Sequence, residues 1–140
     1  MKSTWNKLTM AAAALTIAAG VAGAQTYRVE IPFAFQAGGK VMSPGAYRVQ
    51  IASSQHRILK LANWDAHEAA LVMANGLTYN GTASANEAPA LTFECGIGRC
   101  ALARFWTGSN EPALTFHHRD LGSDTRASLR EIRMVKVNGD

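Results

Sequence analysis

The chain has 140 residues, 48% hydrophobic and 17% charged, with a formal charge of +4, a balance that fits one globular domain rather than a disordered tail. Its 14 Lys and Arg are scattered among 10 acids and form no basic patch, which argues against a nucleic-acid partner. With 2 cysteines, it is not a disulfide scaffold.

Residues 1–24 carry Lys2 and Lys7, run apolar and Ala-rich from Leu8 to Val21, and end Ala22-Gly23-Ala24. These are the positive, apolar and small-residue parts of a secretory signal peptide cleaved before Gln25. The apolar run is shorter than the roughly 18–20 residues of a membrane span, and no cysteine near the cleavage site can take a lipid, so no stable membrane anchor is expected. Taking 24 residues from 140 leaves 116 for a single β-rich domain over 25–140, and losing two lysines lowers the charge from +4 to +2. A domain of that size buries roughly 65% of its unfolded surface, enough for a core without metals or several disulfides.

From Tyr27 to Phe35 large apolar residues fall on every second position, with Arg28 and Glu30 between them, as in a strand with one buried face. Gly38-Gly39 breaks the alternation, Ser43-Pro44-Gly45 marks a turn, and Tyr47–Ile51 resumes the pattern. The repeated Tyr-Arg-Val predicts two strands that turn the same face to one core. Pro32 beside Glu30 reads as protection of an edge strand. Gln55–Leu61 and Ala69–Ala74 read as the next strands, joined through the polar Trp64–Glu68 and stopped by Asn75-Gly76. Leu77–Pro89 reads as the longest loop. Ala90–Cys95 and Cys100–Trp106 read as a hairpin around Gly96-Ile97-Gly98-Arg99, with Trp106 alternating with Arg104 and Leu102 into the core. Ala113–His117 is one more strand, and 119–126 is irregular. Residues 128–137 fit a helical face through Leu129, Ile132 and Val135, and a strand through Arg133, Val135 and Val137, so both stay open. Short strands with a turn signal about every ten residues predict an all-β, single-domain antiparallel β-sandwich or partly open barrel, with a C-terminal helix or strand.

Ile31-Pro32-Phe33-Ala34-Phe35, Gly38-Gly39-Lys40 and Pro44-Gly45-Ala46-Tyr47-Arg48-Val49, followed by Leu91-Thr92-Phe93 and the hairpin ending in Trp106, resemble a group of small exported proteins of acidobacterial type. That group carries a PF-x-F, GG-K, P-x-G-x-Y-x-V opening and an L-x-F…W hairpin. The resemblance covers about half of the chain after residue 24; it implies a secreted β-rich domain and carries over no catalytic residue. Met42-Ser43-Pro44-Gly45 departs from the Leu-Pro-Ala-Gly frequent in the group, and Cys95–Cys100 replaces an aromatic, charged hairpin turn.

Cys95 and Cys100 flank the hairpin loop of an exported chain, where opposed residues fall within disulfide reach in an oxidising compartment, so a disulfide is expected. His117-His118 with Asp120, joined by His56 or His67, invites a metal reading. Neighbours on a strand point to opposite faces, so these two read as surface or turn histidines, and no metal or cofactor is expected. No H-E-x-x-H or G-x-S-x-G is present, and no catalytic residue is assigned. Trp64 and Tyr79 are candidate ligand-contact aromatics. The leading expectation is an exported, non-catalytic binding or structural module for an unknown extracytoplasmic protein or glycan. The alternatives are a small secreted hydrolase of cell-wall or polysaccharide material, using carboxylates such as Asp65 and Glu94, and a carbohydrate-binding module using Trp64 and Tyr79.

Overall fold

Period-two alternation resolves into twelve strands and no helix over residues 25–79, 88–108, 111–118 and 128–137, the part of the chain that the computed structural model describes. In chain order the strands are Thr26–Ile31 (β1), Phe35–Ala37 (β2), Lys40–Met42 (β3), Gly45–Ser53 (β4), Ile58–Asn63 (β5) and Glu68–Met73 (β6). Then come Gly76–Thr78 (β7), Ala90–Gly96 (β8), Arg99–Trp106 (β9), Ala113–Thr115 (β10), Ser128–Arg133 (β11) and Val135–Val137 (β12). Residues 1–24, read above as a signal peptide, most of the Leu77–Pro89 loop, and the 119–126 stretch with Asp120 lie outside the described residues.

A five-stranded antiparallel sheet runs β12-β1-β4-β5-β6. A seven-stranded sheet runs β11-β8-β9-β10-β7, with β2 and β3 added beside β9. One pairing is parallel, β2 on β9 at Gln36 and Ala101. The two sheets share one core and pack as a β-sandwich, not a closed barrel. Residues 128–137 are strand: β11 pairs with β8, β12 pairs with β1, and buried Met134 turns the corner between the sheets, its N–H donating to the Pro89 carbonyl at 2.7 Å.

The two Tyr-Arg-Val segments are each other's register partners. Tyr27 lies opposite Val49, Arg28 opposite Arg48 and Val29 opposite Tyr47, so the apolar residues of both point into the core and both arginines point out. Between them the chain leaves one sheet and returns. Pro32 has no N–H to continue the ladder, and the chain crosses from β1 to the β2–β3 hairpin in the other sheet. It comes back through Ser43-Pro44-Gly45 into β4. Pro32 therefore marks a sheet crossing rather than an edge, because β1 is flanked by β12 and β4. Gly38 and Gly39 close the hairpin at φ +59° and +77°, both left-handed values, as a type I′ turn requires.

The segments that carry the family resemblance meet in one aromatic cluster. Phe35 packs edge-on against Tyr47 at 5.3 Å and Phe93 at 5.1 Å, and Phe33 packs on Phe93 at 5.1 Å. Such pairs add about 0.5–1.5 kcal/mol each beyond area burial. Residues from both sheets and from the β1–β2 crossing thus converge on one contact.

Cys95 and Cys100 are directly opposite in the β8–β9 ladder and form a disulfide. The turn inside it is tighter than the expected four-residue loop, since Gly96 still pairs with Arg99 and Ile97-Gly98 alone makes the reversal. Cross-linking so short a loop is worth about 2 kcal/mol on the chain-entropy view, less than a long-range bridge. A β-bulge shapes the other end of the hairpin. Phe93 pairs with Leu102 but Thr92 with Arg104, so Ala103 is an extra residue on β9. Beyond it the phase flips: Leu102 and Phe105 enter the core, whereas Trp106 shares a face with Arg104. Trp106 is buried, as expected, but on the opposite face from Leu102 and outside the main core cluster.

Candidate functional site

β9 offers one edge to two different strands. β10 pairs with it at Phe105 and Arg104, and the Phe116 N–H extends that pairing to the carbonyl of bulged Ala103 at 2.9 Å. β2 pairs with the same edge at Ala101. Between the end of β10 and the β2–β3 turn the edge is unclaimed, and a cleft of about 530 Å³ opens there. Its floor is Val72 from β6 with Leu102 and Phe116, and its rim carries Gln36, His117 and His118. That volume is in the range of small-molecule sites, and an apolar floor with a few converging polar groups is their usual composition.

His118 is held in place by Glu94 on β8, with Nε2 and Oε2 2.8 Å apart. A carboxylate only accepts, so the imidazole carries its proton on Nε2. Strand alternation would have turned the two histidines to opposite sides, but β10 ends at Thr115 and both line the same cleft. His117 is exposed, while His118, which follows β10 outside any strand, is partly buried against Glu94. His56 is elsewhere, bonded to Ser53 Oγ at 3.1 Å in the β4–β5 turn, and His67 sits in the β5–β6 turn. Among the described residues no group of three His, Cys, Asp or Glu is placed to hold a metal ion.

The other candidates fall apart spatially. Asp65 sits on the β5–β6 turn of the five-stranded sheet and Glu94 on β8 of the seven-stranded one, so the fold does not join them as an acid–base pair. Trp64 and Tyr79 are both exposed, 66% and 75%, yet they follow β5 and β7 in different sheets, and no ring contact among the described residues links them. Cys95 and Cys100 are both consumed by the disulfide.

A second polar group is structural. The Tyr47 hydroxyl donates to the Ser43 carbonyl across the sheet crossing. Ser43 in turn donates its N–H to Glu68 Oε2 and its hydroxyl to Glu68 Oε1, each at 2.9 Å. Asn63, buried opposite Tyr47, hydrogen-bonds the phenol and accepts from the Ala66 N–H at 3.2 Å. Burial pushes the Tyr47 phenol up from its usual value, the Asn63 bond partly offsets this, and Glu68 adds to the rise. The Ser43 amide and then its hydroxyl hold the Glu68 carboxyl below its usual value; desolvation opposes them, and Lys40 adds the smallest lowering effect. This node ties the Ser43-Pro44-Gly45 crossing to the β5–β6 turn.

No family model, curated protein or solved structure matches this chain. Among the described residues no helix is long and apolar enough to cross a membrane.

Proposed function

We propose that the protein is an exported, non-catalytic binding module of the acidobacterial type it resembles, and that its ligand occupies the His117–His118 cleft. The observation that carries this is the convergence of Gln36, His117 and Glu94-anchored His118 over the apolar floor of Val72, Leu102 and Phe116. Export is supported by the signal-like segment 1–24 and by the Cys95–Cys100 disulfide, since such bonds persist in oxidising compartments. Intact mass spectrometry of natively produced protein should give a chain beginning at Gln25 and two hydrogens lighter than its reduced form. A full-length chain with free thiols would refute export.

The binding reading is tested by thermal unfolding against panels of dicarboxylates, amino acids, short peptides and small sugars. A ligand at about 100 times its Kd adds roughly 2.7 kcal/mol, a shift of the order of 10 °C for a domain this size. The shift should occur with the native chain and vanish in His118→Ala. If no class shifts the native midpoint, the cleft is not a small-molecule site.

The Glu94–His118 pair favours one second reading, a hydrolase in which His118 is the general base and Glu94 its orienting group. The described lining residues include no hydroxyl or thiol nucleophile, so the base would act on water. Turnover of a polysaccharide or peptide substrate that His118→Ala abolishes would establish it in place of the binding role.

A further inference from the structure

The outer face of the five-stranded sheet carries an arrangement that folding does not account for. Because the Tyr-Arg-Val segments pair antiparallel about their centres, Arg28 and Arg48 lie directly opposite each other and both are exposed. Side chains so placed have Cβ atoms about 4.5–5.5 Å apart, and like charges there destabilise a sheet. Among the described residues no carboxylate pairs with either guanidinium. Arg48 instead rests over the Trp64 ring, 5.7 Å from its centroid, which leaves a large exposed aromatic surface beside the cation pair.

The surroundings carry a positive excess. Ala62 and Ala69 continue the row beyond Arg48, and Val135 flanks Arg28 on the other side. At about 4.8 Å per strand the row forms a strip crossing the whole sheet. Lys60 adds a third cation on the same face, two positions along β5 from Ala62. Glu30 is the acid on these strands that shares this face, and Asp65 stands in the turn beside Trp64.

We propose that this face binds a polysaccharide bearing carboxylates, a polyuronate, laid across Arg28 and Arg48 with a sugar ring stacked on Trp64. Paired guanidinium groups match a carboxylate through parallel N–H donors, and an anion between them removes the like-charge repulsion. Trp64 offers a rigid apolar ring to the C–H face of a pyranose. Glu30 and Asp65 accept from sugar hydroxyls, which a bare polyphosphate does not supply. The strip is on the far side of the sheet from Val72 and the cleft, so it stands whether or not the cleft holds a ligand.

The test is titration calorimetry of the purified chain with oligogalacturonate, alongside three comparators: neutral dextran oligomers, polyphosphate and single-stranded DNA. Binding of oligogalacturonate should weaken with added salt. It should fall at least tenfold in Arg28→Gln and in Trp64→Ala, and be unchanged in His118→Ala. Both altered side chains are exposed, and Arg28→Gln removes a like-charge contact, so its unfolding midpoint should equal or exceed that of the native chain. Three results would overturn the proposal: no binding of oligogalacturonate, equal binding by Arg28→Gln, or equal affinity for all polyanions without dependence on Trp64, which marks unspecific charge attraction.

Discussion

Replacing Phe93 by alanine is expected to remove about 3–5 kcal/mol of stability, the range for truncating a fully buried aromatic ring. Phe93 is 0% exposed, and its ring meets Phe33 and Phe35 edge-on, joining β8 to the segment that crosses from β1 to β2. Its loss would leave a cavity at the point where both sheets and the crossing chain touch. Since a domain of this size has roughly 5–15 kcal/mol in total, the loss is about a fifth of that or more. Urea unfolding should show a midpoint lowered by roughly 2 M at an ordinary slope. Phe33→Ala, at a half-buried position on the rim of the same cluster, should lose distinctly less. A Phe93→Ala loss under about 1 kcal/mol would mean that the cluster is not what joins the sheets.

Much of this core was legible because β-structure writes its inner face at every second residue. Tyr27, Val29, Ile31, Tyr47 and Val49 are buried as their alternation requires. Gly38-Gly39 is the turn it resembles, and the cysteine pair closes the hairpin it flanks. The change of sheet at Pro32 was not legible, since the alternation continues through Phe33 to Phe35 without a change of phase while the hydrogen-bonding partner changes. The bulge at Ala103 was hidden for the opposite reason. There the phase does change, but one inserted alanine in Ala-Leu-Ala-Arg-Phe-Trp has no compositional signature. The cleft depends on that bulge and on two strands, β2 and β10, 76 residues apart in the chain from Ala37 to Ala113, sharing one edge of β9. Local periodicity carries no record of such an arrangement. His118 was visible as a residue and invisible as a site, because its partner Glu94 comes from another strand and its side is set by the end of β10.

The Ser43–Tyr47–Asn63–Glu68 node should prove as sensitive to backbone as to charge. Gly45 sits at φ +150°, where an L side chain is strained, and a Cβ there would stand 2.8 Å from Asn63 Nδ2. Gly45→Ala is therefore expected to lose about 1–3 kcal/mol through strain alone, with displacement of buried Asn63 adding to it. Gly39→Asn is the contrast: its φ is also left-handed, but a Cβ there meets nothing within 4 Å and Asn tolerates that region, so its loss should be under about 1 kcal/mol. Glu68 adds a pH dependence of defined sign. Its carboxyl is held below the usual 4.5, so the stability it contributes is fully present above that value and is lost as pH falls through the lower folded value. Urea midpoints measured at neutral pH and in the acid range should show the native chain ahead of Glu68→Gln at neutral pH, with the gap closing in acid. Gly45→Ala should narrow that gap at neutral pH too, since moving Asn63 and Tyr47 also moves the Ser43 donors on which the carboxylate depends. Equal gaps with and without Gly45→Ala would show that the crossing and the carboxylate act independently, and that the Pro44-Gly45-Ala46-Tyr47 segment sets backbone geometry alone.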